Sequence, residues 1–238
     1  MSDHYERWNE TDCVETFAAK AADDFFPSEV HHLKKIISQI RSVLDVGCAS
    51  GKFIDLLQSL GATPSYVGLD IGLSNIENAQ RLYPNSQFHH MNALEFTSDQ
   101  TFDLVNATGV CQHEPDFERL IQAMAKLSNK YVLFDVKFSK TNKHIVDLAV
   151  SHAGTSPNKL YFIILNIETF IEFLKKIDRI CAISIFGYQT PLNNRTQVPE
   201  GIHTVVSAGI LLTLSDPDQP CGIHPHPKID CTVPEGLV

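Results

Sequence analysis

The chain has 238 residues, of which 43% are hydrophobic and 20% charged, with a formal net charge of −9 and a pI near 5.6. That size and composition call for a single globular core and exclude a fibrous or disordered chain. The acidic balance, with no basic stripe, excludes phosphate-driven nucleic-acid binding, and no apolar run approaches the roughly 20 residues of a membrane-spanning helix.

Met1 to Glu10 is polar and carries no apolar leader segment, so a cytoplasmic location is expected. Thr11 to Asp24 has weak helical periodicity, and Phe25-Phe26-Pro27 interrupts it. A helix starting at Ser28 then carries Val30, Leu33, Ile36, Ile37 and Ile40 on one face. Val43, Leu44 and Val46 form a buried strand that runs through a turn bearing Gly47 and Gly51 into a helix over Lys52 to Leu60. Such a strand–turn–helix lets backbone approach a ligand closely and offers free N–H donors at the helix start. The glycine spacing is not Gly-x-Gly-x-x-Gly, which disfavours a nicotinamide dehydrogenase.

Tyr66 to Ile71 is a second strand that ends in Asp70, nineteen residues after Gly51. A carboxylate at that strand end can accept both hydroxyls of a ribose, which points to a nucleoside cofactor. Ser74 and Glu77 form a capping-box pair for the next helix, which Pro84 ends. Gln87 to Ala93 and Phe102 to Thr108 are strands; Pro115-Asp116 opens a helix, and Tyr131 to Phe138 is the fifth strand. This alternation predicts a parallel sheet with helices on both faces.

Beyond Ser139, Lys143 to Val150 is expected to be helical and Gly154 to Asn158 a loop. Asn166 caps a helix bearing Phe170, Ile171, Phe173, Leu174 and Ile177. Arg179 to Tyr188 and Ile202 to Leu214 are consecutive strands with a polar connector, which predicts a hairpin whose last strand enters antiparallel. From Asp216 the chain is proline-rich and is expected to be poorly ordered. The six cysteines are scattered, as suits reduced thiols. The tail group Cys221, His224, His226 and Cys231 fits no closed zinc site, so no metal is expected.

Asp45-Val-Gly-Cys-Ala-Ser-Gly51, Gly68-Leu-Asp-Ile71, Asn92-Ala-Leu94, Phe102-Asp-Leu-Val105 and His113-Glu-Pro-Asp116 resemble, in order, the motifs of class I S-adenosylmethionine-dependent methyltransferases of the small-molecule type. The resemblance implies a Rossmann-like, doubly wound, mostly parallel seven-stranded sheet with an antiparallel C-terminal hairpin. It also implies residues 1–41 as N-terminal helices covering the site, 42–215 as the methyltransferase domain and 216–238 as a tail. S-adenosyl-L-methionine is then the implied cofactor, lined by Asp45, Gly47, Cys48, Gly51, Asp70, Ile71, Asn92, Ala93 and Thr108.

The implied reaction moves a methyl group to an oxygen or nitrogen of a small-molecule acceptor by direct displacement. A non-catalytic cofactor-binding module is the alternative, and neither nucleic acid nor membrane is an expected partner. His113, after the fourth strand, is the candidate base; as a histidine beside a proline turn it is equally placed to cap the next helix. Tyr5, Trp8, His144, His152 and Tyr161 are candidate acceptor residues. Ala49 stands where the family usually has glycine, which requires a negative φ there.

Overall fold

Strands and helices alternate along the first half of the chain. α1 (Pro27–Ile36) has proline in its first turn, where a missing N–H costs nothing, and is followed by a 3-10 turn at Ile37–Gln39. Then come β1 (Ser42–Val46), α2 (Phe53–Ser59), β2 (Ser65–Asp70), α3 (Leu73–Leu82), β3 (Gln87–His90), β4 (Phe102–Ala107), α4 (Phe117–Leu127) and β5 (Ser128–Phe138). The second half adds the two-residue strands β6 (His152–Ala153) and β7 (Leu160–Tyr161), α5 (Ile167–Leu174), β8 (Ile180–Pro191), β9 (Thr196–Gln197), β10 (Thr204–Leu214) and β11 (Lys228–Thr232). These come from a computed structural model that describes Trp8, Glu15 and residues 24–154, 159–216 and 227–236.

The main sheet has eight strands in the order β11-β8-β10-β5-β4-β1-β2-β3, and β7-β6-β9 form a small second sheet. β3, β2, β1, β4 and β5 are mutually parallel, whereas β10 runs antiparallel to both β5 and β8. This is the doubly wound sheet with an antiparallel hairpin that the sequence predicts. The strand order reverses between β1 and β4, and the carboxyl ends of those strands open the crevice where such sheets take ligands.

Apolar residues cover both faces. On one, Leu33 and Ile36 of α1 pack with Leu56, Leu57, Ile76 and Ala79. On the other, Leu120, Ile121 and Met124 of α4 pack with Phe134, Phe138 and Phe170. α1 sits close to β10 because Gly209 has no side chain: a Cβ there would lie 2.6 Å from the Ser28 Cβ. His32 is fully buried in this contact and donates to the Gly209 carbonyl from Nε2 at 3.0 Å.

Several expectations are corrected. Residues 143–150 are not a helix: Ile145 pairs antiparallel with Ile164, and the His144 Nδ1 accepts the Asn166 N–H at 3.0 Å, so β-branched residues satisfy their backbone across the chain. Ser74 and Glu77 do not cap α3, which starts two residues earlier behind Gly72, whose N–H donates to Asp70 Oδ1 at 2.7 Å. The stretch expected as a structureless tail contributes β11, which adds an eighth strand by parallel pairing of Lys228–Thr232 with Ala182–Phe186. All five of its residues are exposed, so backbone hydrogen bonds on the open edge of β8 hold it where apolar periodicity does not.

Cys48, Cys111 and Cys231 are free thiols, but Cys181 is disulfide-bonded, against the expectation of reduced cysteines; its bonding partner lies outside the described residues. The helical periodicity of 11–24, apart from Glu15 and Asp24, and the cluster Cys221, His224 and His226 also fall outside them, and no group of potential metal ligands occurs among the described residues.

Burial pushes the His32 imidazole down to about 4. With the folded value below the unfolded one, the folded state binds fewer protons between those values, so its stability is present above pH 6.5 and is lost as pH falls toward 4. The full effect of His32 is about 3 kcal/mol. Urea unfolding at pH 7.0 and 4.5 should show a clear loss in the parent and a smaller loss in His32→Gln; equal losses would contradict this account.

Candidate functional site

The turn from Val46 to Gly51 is built by hydrogen bonds to the neighbouring strand. The N–H groups of Gly47 and Cys48 both donate to the Leu69 carbonyl, at 2.8 and 3.0 Å. Gly47 has φ +69°, and a Cβ there would lie 2.4 Å from Val110 Cγ2, so only glycine fits. Ala49 is also left-handed, at φ 45°, which corrects the expectation of a negative φ. Its N–H is held by Asp70 Oδ2 at 2.8 Å, and that bond keeps the residue in a conformation that alanine otherwise avoids.

Asp70 thus receives backbone N–H groups on both oxygens, from Ala49 and from Gly72. Asn75 Nδ2 adds a long contact to Oδ1 at 3.4 Å. Burial raises the carboxyl above its usual range, while the hydrogen bonds from Gly72, Ala49 and Asn75 pull it back. A carboxylate has about four acceptor positions, so two N–H bonds leave room for ligand hydroxyls. Asn75 Oδ1 beside it finds no hydrogen-bond partner among the described residues.

These groups open onto a cavity of about 250 Å³. Its lining includes Asp70, Ile71, Met91, Asn92 and Ala93, the turn residues Asp45, Gly47, Cys48 and Ala49, then Asn106, Thr108 and His113, and from the N-terminal part of the chain Trp8, Phe25, Phe26 and Glu29. Asp45, on β1, accepts the Tyr66 hydroxyl and the Asn106 amide, the latter at 2.7 Å. Asn92 Oδ1 accepts the Leu94 N–H at 2.9 Å and opens a 3-10 turn at Ala93–Glu95. Burial raises the Cys48 thiol, Asp70 and Asp45 adding to the shift, so it stays protonated.

Of the expected cofactor residues, Asp45, Gly47, Cys48, Asp70, Ile71, Asn92, Ala93 and Thr108 line this one cavity. Gly51 lies behind it, where a Cβ would come within 3.1 Å of Tyr83 and Phe88 ring atoms, so it serves close packing. His113 lines the cavity, and the Trp8 ring meets it edge-on at 5.4 Å. Its Nδ1 donates to the Tyr161 carbonyl at 2.6 Å, and Nε2 accepts the Gln112 amide at 3.1 Å. Desolvation brings it down to about 4, so it is neutral at neutral pH. It does not cap α4, whose N-cap is Asp116.

The remaining candidates are dispersed. The Tyr161 carbonyl meets the site by accepting the His113 Nδ1–H, and its ring is not in the cavity lining. His144 packs edge-on against Phe117, and His152 contacts Gln197 at 3.1 Å in the small sheet. Tyr5 lies outside the described residues.

Glu29, Phe26, Asn75, Asn106 and Gln112 also line the cavity and are not among the residues anticipated from sequence. Glu29 carried a signal: it lies four residues before Leu33 and seven before Ile36, on the buried face of α1. The remaining four carry no comparable mark.

A family model described as a methyltransferase domain matches residues 16–153, more than half of the chain. A ubiquinone biosynthesis O-methyltransferase of Paracidovorax citrulli is 33% identical over 96 residues, covering 37% of this chain and 40% of that protein. The chain spans less than half the length of the curated relatives it matches. Among solved structures, a Synechocystis magnesium protoporphyrin IX methyltransferase with bound SAM aligns with a TM-score of 0.56 at 13% identity, covering 90% of this chain and 98% of that one. A Burkholderia thailandensis 1,6-didemethyltoxoflavin-N1-methyltransferase, with its substrate and S-adenosylhomocysteine bound, aligns with a TM-score of 0.58 at 16% identity over 89% and 86%. At these identities the structures establish a shared fold.

The left-handed Ala49 yields a test of the turn. Ala49→Gly removes the steric cost of that conformation and should stabilise the fold by about 0.5–1 kcal/mol in urea unfolding, less the entropy glycine loses. A destabilised variant would show that Ala49 is not held at positive φ.

Proposed function

The chain belongs to the methyltransferase domain family, and from that premise we propose that it transfers a methyl group from S-adenosyl-L-methionine to an oxygen or nitrogen of a small-molecule acceptor. The observation that carries the reading is the meeting of the Gly47 turn and the Asp70 carboxylate at the mouth of one cavity, at the reversal of strand order. The residues fit the cofactor. Asp70 keeps acceptor capacity for a ribose hydroxyl beside the Ala49, Gly72 and Asn75 donors, and for a second where the long Asn75 contact yields, and Gly47, Cys48 and Ala49 bring backbone to the cavity wall. Asp45 with Asn106 and Thr108 makes a polar end for an amino-acid moiety, and Ile71, Asn92 and Ala93 with Met91 frame a flat base.

When bound, S-adenosylmethionine supplies an electrophilic sulfonium methyl: the acceptor forms a bond to that carbon as the carbon–sulfur bond breaks and its electron pair stays on sulfur. The protein's work is orientation and exclusion of water, an effect worth up to about 7–11 kcal/mol in well-aligned systems. His113 is the candidate base, and its place in the cavity wall supports that role. Acting as base requires Gln112 to release Nε2, and the lowered pKa weakens it as a proton acceptor.

The three-part layout belongs to the same proposal, with residues 1–41 closing over the site; Trp8, Phe25, Phe26 and Glu29 in the cavity wall support it. The acidic charge supports a small-molecule acceptor over nucleic acid, and a cytoplasmic location completes the reading. No helix among the described residues is long and apolar enough to cross a membrane.

S-adenosylhomocysteine at about 100 times its Kd should stabilise the protein by about 2.7 kcal/mol in thermal unfolding, and NAD should not. Stabilisation by NAD instead would overturn the reading. Asp70→Ala should weaken S-adenosylhomocysteine binding by about tenfold or more, the loss of a charge-assisted hydrogen-bond pair. Transfer of a labelled methyl group into a fractionated extract is the direct check of activity.

A further inference from the structure

Asn75 stands outside the residues proposed for the cofactor. It is the third residue of α3, is 1% exposed, and lines the cavity that Asp70 also lines. Its Nδ2 meets Asp70 Oδ1 at 3.4 Å, and the Gly72 N–H donates to the same oxygen at 2.7 Å. Gly72 makes this approach possible: a Cβ there would lie 2.9 Å from Asn75 Nδ2 and 3.0 Å from Asp70 Oδ1. A side chain at position 72 would push the amide off the carboxylate.

The contact fixes which way the amide faces. An ionised carboxylate only accepts, so the nitrogen is the end that turns to Asp70 and Oδ1 is the end that turns away. That oxygen is buried and accepts no hydrogen bond among the described residues. An amide carbonyl withdrawn from water with nothing donating to it is costly, and a ligand that brings a donor relieves the cost.

The acceptor positions on Asp70 indicate which donor that is. Each carboxylate oxygen offers about two. Oδ1 receives Gly72 and Asn75, while Oδ2 receives the Ala49 N–H at 2.8 Å, which leaves one position, on Oδ2. A ribose presents two adjacent hydroxyls, and each is a donor. Asp70 with its present partners takes one, and the other needs a second acceptor at the same edge. Asn75 Oδ1 shares a carbon with the nitrogen that touches Asp70, so it is that neighbouring acceptor. The second hydroxyl then binds without displacing the contact that orients the amide.

Resting on the methyltransferase reading above, we propose that Asn75 is a second ribose-binding residue, so that the diol of S-adenosylmethionine is divided between two side chains. One hydroxyl donates to Asp70 Oδ2 and the other to Asn75 Oδ1. A nucleoside lacking either hydroxyl leaves one buried acceptor unpaired, and the two residues together select a complete ribose.

The test is calorimetric titration of the full chain with S-adenosylhomocysteine and with its 2′-deoxy and 3′-deoxy analogues. The parent protein should bind each analogue about fivefold or more weakly than S-adenosylhomocysteine. Asn75→Leu, close to asparagine in shape but without its polar atoms, should weaken S-adenosylhomocysteine by about fivefold or more. It should also erase the penalty for one analogue, the one missing the hydroxyl that Asn75 holds, and keep the penalty for the other. Asn75→Ala should give the same pattern with less demand on packing. A parent protein indifferent to either hydroxyl overturns the proposal, as does unchanged S-adenosylhomocysteine affinity in both variants. Equal weakening of all three ligands overturns it by making Asn75 a packing residue, and loss of both penalties overturns it by showing that Asn75 acts through Asp70. Each of these results leaves the methyltransferase reading standing, whereas failure of the parent protein to bind S-adenosylhomocysteine at all overturns both.

Discussion

The site depends on the Asp70 carboxylate. Its two oxygens hold the N–H groups of Ala49 and Gly72, which lie on the turns that follow β1 and β2. Without it, Ala49 has no reason to stay left-handed, and the backbone wall that Gly47 begins would relax. The Leu69 carbonyl reinforces the arrangement by taking the Gly47 and Cys48 N–H groups, so that two adjacent parallel strands share one rigid mouth. Burial makes this costly for Asp70, as its raised pKa records, and the same burial strengthens each hydrogen bond it accepts. Pre-organised polarity of this kind is what a nucleoside-binding edge requires.

A second constraint closes the cavity from the N-terminal side. α1 approaches β10 only because Gly209 leaves room for Ser28 and His32, and that seat sets Glu29 against Thr108. Lys137, neutralised by Asp135, lies against the Phe26 ring, while Asp135 also takes the Gly109 N–H at the turn after β4. This part of the cavity wall is thus fixed by polar contacts between α1, β4 and β5, elements far apart in sequence. A single substitution at Gly209 would disturb the site without touching it.

The parallel core is legible in the sequence because its signals are local: apolar runs of strand length, glycine after a helix and proline before the next element. The glycine turn and Asp70 are legible for the same reason, since each sits at a strand end. Residues 143–150 mislead because Ile145 and Val146 fit a helical spacing, while their pairing partner, Ile164, is supplied by a later segment. β11 is hidden because its five residues are all exposed and its order comes from the open edge of β8. Ala49 misleads because propensity favours negative φ, and a carboxylate twenty-one residues away overrides it. Glu29 carries a periodicity signal, but its partner Thr108 is visible only in three dimensions.

The most direct measurement is a crystal structure with S-adenosylhomocysteine bound. The account predicts the nucleoside in the cavity between the Gly47 turn and Asn92, with its ribose hydroxyls within hydrogen-bond distance of Asp70. Ligand density elsewhere on the protein, or a ribose that leaves Asp70 uncontacted, would contradict it.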